Sequence, residues 1–247
     1  MLLFLLLTTP DCFSQETSDT LETHELYAIP TYEQRKKVFK KSLIAPAALF
    51  VGGTVAFTAN KIWDDDEINL YRDSNFPDFR VKADDYLAFV PIFAVYGLDL
   101  AGLDARNGFW DRTNILLKAE AMGFAVVTLL KVGINRTRPN GENMDSFPSG
   151  HTAQAFVSAT FLHREYGHIS PWYSIAGYTM ASSVGALRIM NDKHYLSDVL
   201  FGAGIGILVT NLAYLTHNYK RTKKLRGLSV IPTYGNDMVG LFAGYSF

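Results

Sequence analysis

Apolar residues fall in six blocks along the chain, separated by polar stretches. The first, Leu43 to Ala59, follows a basic run of Arg35, Lys36, Lys37, Lys40 and Lys41. Residues 60–82 read as a polar connection containing the acidic run Asp64–Glu67. The second block is Tyr86 to Leu98; the third, Ile115 to Val132, carries Lys118 and Glu120. A loop rich in Gly, Asn and Pro covers 133–150, after which a helix is predicted from about Thr152 to Tyr166. Pro171 suits the first turn of a helix that reaches Leu187. Val199 to Leu215 is the cleanest apolar run, and Gly202, Gly204 and Gly206 allow close helix packing there. The pattern predicts an all-α, up-down bundle of about six helices.

The ends differ from this core. Residues 1–14 resemble a secretory signal with cleavage after Ser14, although no Lys or Arg precedes the short apolar run. Residues 15–41 are expected to be a mobile polar and basic lead-in, 42–220 the helical domain, and 221–247 a basic linker with a short tail. In the tail, a turn at Gly235-Asn236-Asp237 and alternation of Val239, Leu241, Ala243, Tyr245 and Phe247 predict a C-terminal β-hairpin.

Spanning a bilayer takes roughly 20 mostly apolar residues. The first, fifth and sixth blocks approach that length; the others fall short or carry charge. Two pictures follow: a six-helix membrane bundle with polar interior faces, or an exported helical domain beside a membrane. Basic residues cluster before the first helix, between the second and third (Arg106, Arg112) and after the sixth (Lys220 to Arg226), which places both ends in the cytoplasm. A cleaved signal would invert that topology. Mean hydropathy is only +0.05 and net charge is −1, so charge gives no case for a nucleic-acid partner. The one cysteine, Cys12, offers neither a disulfide framework nor a thiolate metal site.

Three short segments carry the chemistry: Lys131 with Arg138-Pro139, then Pro148-Ser149-Gly150-His151, then Arg188 with His194 and Asp198. They fall at the end of the third helix, the start of the fourth, the end of the fifth and the start of the sixth. In an up-down bundle these places share one pole. Three cations beside helix N-termini, with the Ser149 hydroxyl and the Gly150 amide, suit a compact oxyanion such as phosphate. Two histidines add acid–base and nucleophilic capacity. Asp198 can accept the Nδ1 proton of His194, freeing Nε2 to attack phosphorus, while His151 protonates the leaving oxygen. Because side chains supply the positive charge, no metal or other cofactor is expected.

The pattern K-x6-RP, PSGH, R-x5-H-x3-D resembles the three-part signature of the type 2 phosphatidic acid phosphatase superfamily, which also includes vanadium haloperoxidases. Leu187 stands where that family usually has Ser, before the third-motif Arg. The resemblance implies a six-helix bundle, His194 as nucleophile and His151 as acid. It implies a phosphatase of membrane-lipid phosphates: phosphatidic acid, phosphatidylglycerol phosphate, undecaprenyl diphosphate or lipid A phosphate. The expected setting is a bacterial inner membrane with the site facing the periplasm. The alternatives are a soluble exported acid phosphatase for small phosphomonoesters and, more remotely, a vanadate-dependent haloperoxidase. His163, His168 and His217 read as cap or surface residues, and Asp99, Asp104, Lys118 and Glu120 as helix-edge or interhelical charges.

Overall fold

The computed structural model describes residues 30–58, 64–219, 229–235 and 238–244. The expected signal, most of the lead-in and the basic residues 220–226 lie outside them. The described residues form nine helices: α1 (Tyr32–Ser42), α2 (Ile44–Thr58), α3 (Asp65–Asn75), α4 (Ala83–Leu87), α5 (Val90–Leu100), α6 (Phe109–Ile134), α7 (Gly150–Tyr166), α8 (Pro171–Met190) and α9 (Leu196–Thr216). Two strands, β1 (Ser229–Gly235) and β2 (Met238–Gly244), pair antiparallel with Ser229 opposite Gly244. The expected turn residues Asn236 and Asp237, and Tyr245 and Phe247, lie outside the described residues.

Six of these helices correspond to the six apolar blocks. The other three come from polar sequence, and local capping explains two of them. Residues 32–41, expected in the lead-in, form all but the last residue of α1 because Thr31 and Gln34 cap it reciprocally: Gln34 N–H donates to Thr31 Oγ1 (3.3 Å) and Thr31 N–H to Gln34 Oε1 (2.8 Å). The acidic run within the expected connection becomes the first turn of α3. Asp64 Oδ1 accepts from Glu67 N–H (2.6 Å), and carboxylates there complement the helix dipole. α4 is a single turn fixed from outside: buried Asn191 donates to the Val81 carbonyl (2.7 Å) and accepts from Val81 N–H (2.9 Å).

α9 is the axis of the bundle, packed by α1, α2, α6, α7 and α8. Its glycines allow this. A Cβ on Gly202 would sit 2.5 Å from the Ser149 carbonyl oxygen, and one on Gly204 would meet the Phe50 ring at the same distance. The core joins Ile115, Ala119 and Val127 of α6 to Val157 and Phe161 of α7 and Ile205 and Val209 of α9. A second cluster joins Phe156 and Ala159 of α7 to Ala181 and Val184 of α8 and Ile207 of α9.

The bundle thus has two poles. α6 and α8 end, and α7 and α9 begin, at one of them. The other is closed by Arg35, which donates to the Leu215 (3.0 Å) and His217 carbonyls, and by buried Glu165, which accepts from Tyr214 Oη (2.6 Å) and Asn107 N–H (2.9 Å). His217 is buried at this pole and bonds Asp111 (3.0 Å), rather than lying at the surface as its sequence position suggests. Asp99 pairs with Arg112 across α5 and α6, and Glu120 accepts from Gln154 (2.7 Å) across α6 and α7.

Candidate active site

All eight singled-out residues lie at the pole where α7 and α9 begin. Ser149 caps α7, and its main-chain N–H donates to the Asp198 carbonyl (3.0 Å), joining the second segment to the third. The Phe147–Pro148 peptide bond preceding it is cis. Lys131 reaches back along α6 until its Cε lies 4.0 Å from the position of a Cβ on Gly150. His194 lies within electrostatic reach of Arg188 and Arg138, His151 within reach of Arg188, and Lys131 within reach of Arg138 and Asp198.

The roles inferred from spacing are refined in detail. The Ser149 side chain is fully buried and shares a hydrogen bond with Thr152 Oγ1 (2.9 Å), so its hydroxyl is engaged as a helix cap. His194 is 2% exposed. Its Nδ1 lies 3.7 Å from Asp198 Oδ2, an ion-pair distance too long for a hydrogen bond. That oxygen instead accepts from Ser146 Oγ (2.5 Å) and Tyr195 N–H (3.0 Å). Among the described residues neither His194 Nδ1 nor Arg188 Nε has a hydrogen-bond partner. Burial is the main reason the His194 imidazole is pushed down to about 4; Asp198 opposes the shift, while Arg188 and Arg138 add to it.

Four carboxylates that the sequence left unassigned complete the site. Asp84 on α4 accepts from Arg188 Nη1 (2.7 Å). Its neighbour Asp85 meets His151 Nε2 (3.0 Å). Asp145 binds Arg138 through both oxygens, Oδ1 to Nε (2.8 Å) and Oδ2 to Nη2 (3.1 Å), and its carbonyl accepts from Lys131 Nζ. Asp65 on α3 accepts from Ser197 N–H (2.8 Å), Ser197 Oγ (2.5 Å) and Arg136 Nη2 (2.9 Å). Arg136 also donates to Asp198 Oδ1 (2.8 Å) and lies 4.0 Å from the centroid of the Tyr195 ring. The available signal was charge balance: a site of four cations needs partners, and Asp84-Asp85 and Asp64–Glu67 are the unexplained acidic runs. The loop over the site bonds Lys193 to Glu142 (2.6 Å), and Asp192 lies 3.5 Å from Arg72.

Four cations, their carboxylates and two histidines, one buried and one half-exposed, thus gather at the pole where α7 and α9 begin. Residues 113–222, which contain all three segments, match the sequence model of the PAP2 superfamily. The chain is 41% identical over 177 residues to the lipid A 1-phosphatase of Porphyromonas gingivalis. That match covers 66% of this chain and 39% of the relative, so the chain spans about two fifths of the relative's length. Among solved structures it is similar to LpxE of Aquifex aeolicus (23% identity, TM-score 0.44, 58% of this chain and 92% of that one). It is also similar to a transmembrane PAP2-type phosphatidylglycerolphosphate phosphatase of Bacillus subtilis (21% identity, TM-score 0.48, 68% and 93%).

Proposed function

We propose that the protein is a lipid-phosphate phosphatase working through a phosphohistidine on His194. The carrying observation is the position of that buried imidazole, just before α9 and within electrostatic reach of Arg188 and Arg138, beside the N-terminus of α7. Neutral Nε2 attacks phosphorus, and the bond from phosphorus to the leaving oxygen breaks. His151, whose imidazole burial and Arg188 push down while the paired Asp85 opposes the shift, gives that oxygen a proton. Water then attacks phosphorus, the P–N bond breaks, and the water's proton passes to His151. Lys131, Arg138, Arg188 and the Gly150 amide take the non-bridging oxygens, and a phosphate oxygen satisfies Arg188 Nε. Of the lipids expected, the relative in P. gingivalis favours a lipid A phosphate.

The membrane reading is supported by two helical stretches long and apolar enough to cross a bilayer, Tyr32–Thr58 and Leu196–Thr216. The second is two-thirds buried as the bundle axis, so the outer surface is the better support. Phe93 and Leu100 on α5 and Leu117, Phe124 and Val132 on α6 are all more than 60% exposed, an apolar face suited to lipid. Arg35 to Lys41 and Arg106 lie at the pole away from the site. By the positive-inside tendency that pole is cytoplasmic and the site faces the periplasm. Within this reading residues 42–220 are the catalytic domain and residues 221–247 a basic linker and tail.

The test is phosphate release from lipid A 1-phosphate, phosphatidic acid, phosphatidylglycerol phosphate, undecaprenyl diphosphate and p-nitrophenyl phosphate, without added metal. Release from a lipid, blocked by vanadate and lost in His194→Ala, is the expected result. Release from the small ester alone would favour the soluble acid-phosphatase reading, and full activity in His194→Ala would overturn the mechanism.

A further inference from the structure

Each cation at the site pole has a carboxylate, but the carboxylates are not alike. Asp84, Asp65 and Asp198 have side chains 2%, 6% and 0% exposed. Each is also held by a neighbour other than its arginine: Asn191, Ser197 and Ser146 respectively. These are fixed parts of the frame. Asp145 differs: it sits on the loop between the first two motifs, and its side chain is 45% exposed. Yet it occupies both donors of the Arg138 fork and lies 3.6 Å from Lys131 Nζ. Main-chain bonds from Arg138 N–H to Asn143 O and from Ser146 N–H to Arg136 O, both 2.9 Å, fold the loop back. The exposed Glu142–Lys193 pair (2.6 Å) fastens it beside His194.

We propose that Asp145 is a built-in competitor of the substrate's phosphate, occupying the Lys131–Arg138 pair in the resting enzyme and giving way to anions of higher charge density. The inference rests on reading the pocket as a phosphate site. A guanidinium fork binds a carboxylate and a phosphate with the same two parallel bonds, so the two ligands exclude each other there. A carboxylate brings one negative charge to two cations. A phosphomonoester brings about 1.5 to 2 at neutral pH and gains from the exchange. A phosphodiester brings one and gains little. Asp145 thereby selects terminal phosphates over the diester linkages that fill a phospholipid surface.

Calorimetric titration of the detergent-solubilised protein with inorganic phosphate and with dimethyl phosphate tests this without turnover. Wild type is expected to bind phosphate well and dimethyl phosphate about tenfold more weakly or worse. Asp145→Asn is expected to bind both more tightly, dimethyl phosphate gaining more, so that the ratio narrows. KM for p-nitrophenyl phosphate falls while kcat stays within about twofold, the pattern of altered ground-state binding. Glu142→Gln loosens the loop by releasing Lys193 without touching Lys131 or Arg138, and is expected to move affinity the same way by a smaller factor. It serves as the second variant if Asp145→Asn unfolds. Weaker or unchanged phosphate binding in both variants overturns the proposal while leaving the pocket assignment intact. Failure of wild type to bind phosphate or release it from any ester sinks the pocket assignment, and the competitor role with it.

Discussion

The depressed pKa of His194 has a direct kinetic consequence. An imidazole pushed down to about 4 by burial is neutral at any pH above that value. The proposed nucleophile is therefore uncharged across neutral and mildly acidic pH, where an ordinary histidine is half protonated near 6.5. The acid limb of kcat/KM is expected to turn below about pH 5, measured as a pH–rate profile on a soluble ester. A limb near 6.5 would show that the imidazole is not shielded as described. His194→Ala is expected to lower kcat by on the order of 10⁴-fold or more, since it removes the proposed nucleophile. Arg136 is the structural counterpart. It spans Asp65 and Asp198, both buried, so Arg136→Ala leaves two carboxylates short of a partner. Thermal or denaturant unfolding is expected to show a loss of about 3–5 kcal/mol.

At the scale of elements, catalytic geometry depends on how closely α9 approaches α7. Gly202 faces the Ser149 carbonyl, and Ser149 N–H in turn holds the Asp198 carbonyl. Gly202→Ala forces the helices apart at the point where the second and third motifs meet. The expected cost is about 1–3 kcal/mol in unfolding together with a fall in kcat, whereas Gly97→Ala, with open space around its Cβ, changes neither by a comparable amount. The helices that bury an apolar face were legible in the sequence, as were all eight motif residues, because bundle topology alone sends those chain positions to one pole. Less legible were α1, α3 and α4. Their sequences are polar, and what orders them is capping by Thr31 and Asp64 or tethering by Asn191, contacts that apolar periodicity does not register. For the same reason Asp65, Asp84, Asp85 and Asp145 escaped notice: each is defined by a partner distant in sequence or by a loop fold. The engaged Ser149 hydroxyl shows the reverse error, a motif residue whose side chain is already committed to its own helix.

Over the whole molecule, the asymmetry of charge is open to direct test. A single cysteine at Glu142, beside the site, is expected to react with a membrane-impermeant maleimide added from the periplasmic side of a Cys12→Ser background, and one at Lys37 is expected to stay protected. The opposite pattern would invert the orientation proposed above. The axial helix has a further consequence. α9 has 21 residues and so extends about 31 Å, close to the thickness of a bilayer's hydrocarbon layer. Asp198 rides in its first turn and His194 lies two residues before Leu196, and the remainder is apolar apart from Thr210, Asn211 and Thr216. On the proposed membrane reading the helix acts as a depth gauge, setting the reacting nitrogen at the level of lipid headgroups by the length of its own submerged shaft. Reconstituted in bilayers of graded acyl-chain length, the protein is expected to hydrolyse lipid phosphate best near the matching thickness. Hydrolysis of p-nitrophenyl phosphate, which arrives from water, is expected to stay nearly level across the same series.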